Sequence, residues 1–262
     1  AATTTGENQG ASIELTGSTV VLDNATILGI THDGANCAST QSCGSVGDVS
    51  ITADQISILG TSIVRVSTDP ESSGDAGNIS LIATGDVRID LNAVENSLPP
   101  GIFARSRNNT SSESGEAGEI SIKARNIQIL NDAKVSVSTF GAGNAGEITL
   151  AARGDVLIDG QQNTSQDIAG IYARTGFGSD SQESPADPAT GNAGNIQIDA
   201  QNLRILNGAQ ISAAVFSRAG GDGGQIALNV SGLVSLVGST EAPSQISAES
   251  NSLAGGSAGT IR

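Results

Sequence analysis

A glycine motif of the form Gly-x-small-Gly recurs along this chain, and an alternating apolar and polar segment follows each copy. The spacing between copies varies, which is typical of a solenoid whose fixed unit carries insertions of different length. None of the segments is long enough to be stable alone, so the recurrence constrains the fold more than any one stretch. The motif ends at Gly47, Gly77, Gly118, Gly146, Gly194, Gly224 and Gly259, with a degenerate copy ending at Gly10.

The clearest copy, GNAGNIQIDAQNLRILNGAQISAAVF at residues 191–216, predicts three short strands in each unit. Ile196 and Ile198 alternate with polar residues, which is the period-two pattern of a strand with one buried face. Leu203 and Ile205 repeat the pattern after a polar step, and an Asn-Gly corner precedes a third strand.

Units of two kinds alternate. One kind has a compact second and third strand, as in residues 126–139. The other opens with GDVRID or GDVLID, at residues 85–90 and 154–159, and continues into a polar insertion. GIFARS or GIYART follows the insertion, at residues 101–106 and 170–175. We expect the insertions to form surface loops, because they are rich in turn-forming and polar residues.

Stacking each strand on its equivalent in the next unit predicts an all-β fold, a right-handed parallel β-helix. This is a three-sheet β-solenoid with loop insertions and a continuous aliphatic core. The right hand follows the usual chirality of parallel crossovers. Because no linker interrupts the repeat, we expect residues 1–262 to form a single segment of about seven turns. A propeller is a weaker alternative, since its blades need four antiparallel strands.

The charge balance argues against a nucleic acid partner. The net charge is −15, and only 12 residues are Lys or Arg. Nucleic acid binding needs a basic face, so we expect no nucleic acid partner. The chain has no Met and no signal-like segment, and we expect it to be part of a longer exported protein.

Two cysteines, Cys37 and Cys43, lie in one predicted loop. In an exported protein such a pair favours a disulfide. A zinc site is the weaker alternative, because the single histidine, His32, would supply only a third ligand.

A second predicted loop is rich in acidic residues. Asp180, Glu183 and Asp187 are candidate calcium ligands, because calcium prefers clustered carboxylates. The spacing matches neither an EF-hand nor a calcium-binding nonapeptide repeat, and a solvated loop is the alternative interpretation. We expect no other cofactor.

Paired acids occur in the GDVRID and GDVLID segments, as Asp86 with Asp90 and Asp155 with Asp159. We interpret them as turn-forming residues at outward or corner positions. Polysaccharide-cleaving enzymes need carboxylates in a groove and aromatic platforms, but this chain has no Trp and one Tyr. We therefore expect a protein that is not an enzyme.

An aromatic residue and an arginine occupy equivalent places two turns apart, as Phe103 with Arg105 and Tyr172 with Arg174. If their apolar neighbours point inward, these four side chains point outward. Such a stripe is a candidate contact surface for sugar or protein. The alternative is that the preceding insertion folds back and covers each ring.

The whole pattern resembles a known family. The run G-N-A-G-N-I-x-I-x-A-x-x-L-x-I-L-N-G-A-x-I-S-A at residues 191–213 resembles the repeats of filamentous-haemagglutinin-like exoproteins, including cyanobacterial members. The resemblance implies a right-handed β-helix and export through an outer-membrane two-partner secretion pore. It also implies an extracellular or cell-surface location and a role in adhesion or in a fibre.

We therefore expect a structural or adhesive segment of a secreted or cell-surface bacterial fibre. Its expected partners are neighbouring copies or further repeats of the same chain, the secretion pore, and surface glycans or proteins. Two alternatives stay open at this point, a polysaccharide-processing β-helix enzyme and a carbohydrate-binding module without catalysis.

Overall fold

A computed structural model describes residues 2–4, 10–31, 44–68, 73–92, 100–107, 115–160, 169–176, 189–216, 220–251 and 255–262. Within these ranges all of the regular secondary structure is β-strand, numbered β1 to β24 along the chain. The described residues include no helix able to cross a membrane. The strands lie in three sheets, and each sheet takes one strand from nearly every unit.

The first sheet collects the strands that follow the glycine motif. In sheet order they are β2 (Ile13–Thr16), β5 (Val49–Ala53), β8 (Ile79–Ala83), β11 (Ile120–Ala124), β14 (Ile148–Ala152), β17 (Ile196–Ala200), β21 (Gln225–Val230) and β24 (Thr260–Ile261).

The second sheet collects the next strand of each unit. In order they are β3 (Thr19–Asp23), β6 (Gln55–Gly60), β9 (Val87–Leu91), β12 (Ile127–Asn131), β15 (Asp155–Asp159), β18 (Asn202–Leu206) and β22 (Val234–Val237).

The third sheet completes each turn. It contains β1 (Ala2–Thr4), β4 (Thr26–Thr31), β7 (Ile63–Ser67), β10 (Gly101–Ser106), β13 (Lys134–Thr139), β16 (Gly170–Gly176), β19 (Gln210–Ser212) and β23 (Gln245–Ser247). The short strand β20 (Val215–Phe216) pairs with the end of β16.

Equivalent strands pair in parallel and in register. Ile79 pairs with Ile120, Ile120 with Ile148, and Ile148 with Ile196, and each side chain is at most 1% exposed. The prediction of an all-β parallel β-helix with three sheets is therefore confirmed. The right hand of the winding stays a prediction.

The core consists of such stacks of equivalent aliphatic side chains, one from each turn. In the second sheet, Ile89, Ile129 and Ile158 stack in the same way and are fully buried. Burying one Ile or Leu side chain stabilises a fold by about 1.5–3 kcal/mol. Because each turn adds only a few such residues, stability depends on contact between successive turns.

The corner between the second and third sheets needs a left-handed backbone. Asn24, Asn131 and Asn207 have φ angles of 50°, 61° and 53°, and Gly60 has a φ of 66° in the same corner. Asparagine and glycine are the residues that tolerate this conformation best. The Asn-Gly corner predicted from the sequence corresponds to Asn207 and Gly208.

The glycine motif forms the corner between the third and first sheets. A Cβ atom on Gly118 would collide with the carbonyl oxygen of Gly77, and one on Gly194 would collide with that of Gly146. Corners of successive turns therefore approach so closely that only a residue without a side chain fits.

The side chain at the variable position of the motif also links successive turns, by hydrogen bonds to the backbone. Asp75 Oδ1 accepts a hydrogen bond from the Glu116 backbone N–H at 2.9 Å. Asn144 Oδ1 accepts one from Asn192 at 2.9 Å, and Asn192 Oδ1 accepts one from Asp222 at 2.8 Å. Each side chain thus bonds the backbone of the same corner one turn later.

The glycine contact gives a direct prediction. Gly118→Ala should destabilise the chain by about 1–3 kcal/mol or more, because neither backbone can move away without breaking the ladder. Gly17→Ala is the matched control. A Cβ atom on Gly17 would have Thr19 O as its nearest neighbour, at an ordinary contact distance of 3.6 Å. The control should change stability by less than about 0.5 kcal/mol. Urea unfolding followed by circular dichroism measures both, and equal losses would contradict the corner contact.

Candidate functional site

The predicted aromatic and arginine pairs lie on the third sheet. Phe103 and Tyr172 both pair with Ser136 of the strand between them, and Arg105 and Arg174 both pair with Ser138. Neighbouring Ile102, Ala104, Ile171 and Ala173 belong to the aliphatic core. Because strand side chains alternate, the aromatic and arginine side chains lie on the outer face.

In each pair the arginine stacks on the ring. The guanidinium carbon of Arg105 lies 3.8 Å from the Phe103 ring centroid, and that of Arg174 lies 3.8 Å from the Tyr172 centroid. The Phe103 ring also covers Gly101, where a built Cβ would meet it at 2.5 Å. The sequence Gly-x-aromatic-x-Arg is thus a stacked cation–π unit.

These side chains are buried although they lie on the outer face. Phe103 is 0% exposed, Tyr172 2%, Arg105 8% and Arg174 7%. The burial agrees with the alternative in which the rings are covered, and it leaves little of the stripe accessible to sugar or protein. A contact between these four residues and a partner stays a prediction.

A further arginine lies beside the first pair. Arg65 pairs with Phe103 in register, and its guanidinium carbon lies 5.6 Å from the ring centroid. Burial lowers the pKa of Arg65 to about 10, and the positive charges of Arg105 and Arg107 add to the effect. Arg65 is still protonated at neutral pH, so this covered face carries positive charge within an acidic protein.

An open groove lies on the outer face of the second sheet. It has a volume of about 410 Å³, and we call it the second-sheet groove. Strands β9, β12 and β15 line it with Arg88, Asp90, Gln128, Leu130, Asn131, Leu157 and Asp159.

Six of the seven groove residues form two columns. Asp90, Leu130 and Asp159 are aligned across the three strands, and so are Arg88, Gln128 and Leu157. The sequence predicted that Asp90 and Asp159 belong to equivalent units. It did not show that Leu130 lies between them, because Leu130 belongs to a unit of the other kind.

Hydrogen bonds hold the polar groups of the groove. Asp90 forms an ion pair with Arg88 and accepts a hydrogen bond from Asn131 Nδ2 at 2.5 Å. Arg88 also donates to Gln128 Oε1 at 3.3 Å. Asp159 accepts from Nδ2 of Asn207 at 2.8 Å, so both carboxylates are fixed in position.

The other two acids of the predicted pairs lie at the corner between the first and second sheets. Asp86 accepts hydrogen bonds from Arg125 Nε at 3.0 Å and Nη2 at 3.1 Å, and from Asn126 Nδ2 at 2.9 Å. Asp155 accepts from Asn202 Nδ2 at 2.7 Å. These bonds join successive turns, in agreement with the corner role expected for the two residues.

The remaining predicted sites lie outside the described residues. They are the Cys37–Cys43 disulfide and the calcium candidates Asp180, Glu183 and Asp187. In the part of the chain that the structure describes, no three His, Cys, Asp or Glu side chains lie together as a metal site.

Comparisons of the chain with protein-family models, with curated proteins and with solved structures found no match.

The Asp86–Arg125 pair predicts a pH dependence of stability. The hydrogen bond from Arg125 is the largest cause of a lowered Asp86 pKa. A lowered carboxyl pKa in the folded state stabilises above the unfolded value of about 3.9, and this stabilisation is lost as pH falls through the folded pKa. Asp86→Asn should therefore lower the Tm more at about pH 7 than at about pH 2.

Arg125→Gln is the partner variant in this experiment. It should lower the Tm in the same pH range, and the double variant should be less destabilised than the sum of the two single variants. A Tm deficit of Asp86→Asn that is equal at both pH values would contradict the role of the pair.

Proposed function

We propose that this chain is a structural or adhesive segment of a secreted or cell-surface bacterial fibre. Three parallel sheets share one axis, and nearly all inward side chains of the described turns pack against the turns above and below. Such an arrangement grows by adding turns along one axis, which suits an extended fibre.

One observation carries this proposal. Val234 and Leu236, in the last strand of the second sheet, pair in register with the buried core residues Leu203 and Ile205. They are nevertheless 45% and 43% exposed. In the first sheet, Ile261 continues the file of Ile226 and is 50% exposed. The core is therefore open to solvent at this end of the described coil.

A further turn of the same coil is the partner that best fits the open end. Strands β22, β23 and β24 are each the outermost described member of a sheet, so a further parallel strand could pair with their outer backbone groups. Another such turn would supply both that ladder and the matching aliphatic residues. We propose a further repeat or a neighbouring copy of the chain as this partner.

Export and adhesion rest on the family resemblance of residues 191–213. It supports passage through an outer-membrane two-partner secretion pore and an extracellular or cell-surface location. The net charge of −15 supports a solvated, self-repelling lateral surface and no nucleic acid partner.

The purified 262-residue chain tests the proposal, because it presents the open end in solution. Sedimentation velocity and electron microscopy should show end-to-end association that increases with protein concentration. Leu236→Asp should weaken this association at least about tenfold, since it places a charge where an apolar side chain would be buried.

The matched control is Ile82→Asp. Ile82 is 40% exposed on the lateral face of the first sheet, so its substitution should leave end-to-end association unchanged. Circular dichroism verifies that both variants are folded. A chain that stays monomeric at every concentration, or association that only Ile82→Asp weakens, would overturn the proposed end-to-end contact between copies.

A further inference from the structure

We infer that the outer face of the first sheet is a contact surface for a second copy of this chain. In this pair the two coils lie side by side, with their axes pointing the same way. The inference is independent of the proposed contact at the open end, because it concerns a lateral face of the coil.

Small side chains line this face. Its central column is aligned from turn to turn and consists of partly buried residues with hydroxyl groups, namely Ser50, Ser80, Ser121 and Thr149. In the next outward column, Ile82 is 40% exposed. Small outward residues allow a second sheet to approach to the spacing of about 10 Å that is typical of face-to-face packing.

Opposite charges lie on the two sides of the central column. Glu119 and Lys123 are the outward residues on either side of Ser121, and both are exposed. They are about 13 Å apart along the strand, which is too far for them to pair with each other. Within the described part of the chain, neither side chain takes part in an ion pair. The same strand therefore presents an unpaired negative charge at one edge and an unpaired positive charge at the other.

A two-fold axis makes these charges complementary. If the axis runs along the column of Ser121, parallel to the coil, it reverses the strand direction and keeps the height of each turn. Glu119 of each copy then lies opposite Lys123 of the other copy. Glu147, one strand higher on the acidic edge, adds negative charge beside the same lysine. Because exposed ion pairs contribute little affinity, these charges select the orientation, and the contact area holds the pair together.

The opposite orientation brings like charges together. The acidic edge is continuous, because Asp48 Oδ1 accepts a hydrogen bond from the Asn78 N–H and Asn78 Oδ1 accepts one from the Glu119 N–H, both at 2.8 Å. A two-fold axis along the strands would place this edge, with Asp48, Glu119 and Glu147, against itself. Such repulsion disfavours coils that point in opposite directions.

The face is large enough for a specific contact. Most of its strands have five residues, which gives a width of about 17 Å. The strands from β2 to β21 span a height of about 34 Å, so two paired faces bury about 1,100 Å², near the lower limit of specific interfaces. The net charge of −15 opposes lateral contacts elsewhere, so pairing is confined to a face where opposite charges meet.

Sedimentation equilibrium of the Leu236→Asp chain at low salt tests the inference, because that variant lacks the proposed end contact. The chain should form a dimer. Lys123→Glu should weaken dimerisation by about tenfold or more, since it makes both symmetric contacts repulsive. Arg204→Glu is the matched control, because it makes the same change in net charge at an exposed position on the second sheet and should have a much smaller effect.

An exchange of the two charges provides a rescue. Glu119→Lys combined with Lys123→Glu keeps the net charge of the parent chain and should restore most of the lost affinity. Glu14 lies in the central column and so faces its own copy across the two-fold axis. Glu14→Gln should therefore strengthen dimerisation, because it removes a contact between like charges.

Cross-linking tests which face is in contact. After Cys37 and Cys43 are replaced by serine, a short bismaleimide should join Ser121→Cys chains in pairs. Gln128→Cys chains, with the cysteine on the second sheet, should stay unjoined. Circular dichroism verifies that each variant is folded.

Three results would overturn the inference. They are a Leu236→Asp chain that stays monomeric at every concentration, equal weakening by Lys123→Glu and Arg204→Glu, and a double variant that does not recover. None of these results concerns the open end, so failure of lateral pairing can be distinguished from failure of the fibre proposal.

Discussion

The close contact between a glycine corner and the same corner one turn later is the constraint on which this structure depends. The Cα of Gly118 lies against the carbonyl oxygen of Gly77, and the acceptor of the preceding corner, Asp75, bonds the backbone N–H of Glu116. This contact sets the vertical spacing and fixes the register of the first sheet. Once the register is fixed, every inward residue lies over its equivalent, and the aliphatic core follows without any long strand.

Most of the fold was predictable because its signals are local and repeated. Alternation around Ile196 and Ile198 shows which face is buried, and Asn207-Gly208 shows where the chain turns. Equivalence between units then gives the sheet partners, since parallel stacking aligns like with like. The acceptor ladder at the variable motif position was missed. Its residues share only an oxygen-bearing side chain, which looks like ordinary turn composition in the sequence.

The two outer faces show where prediction from the sequence stops. Alternation places Phe103 and Tyr172 outward, but their burial depends on what packs over the sheet, which no period-two pattern contains. The second-sheet groove was missed for another reason. Leu130 comes from one kind of unit and the aspartates from the other, so the surface exists only after three strands are aligned. Strong stacking inside the coil leaves these outer positions free to differ from turn to turn.

Distances between spin labels along one outer column test the in-register stacking most directly. Ser50, Thr149 and Gln197 lie in a single column of the first sheet. Thr149 is three strand spacings from Ser50, and Gln197 is four. After Cys37 and Cys43 are replaced by serine, labels at Ser50 and Thr149 should report about 14 Å between backbones, and labels at Ser50 and Gln197 about 19 Å. A separation that fails to grow by about 5 Å from the first pair to the second would contradict the stacked coil.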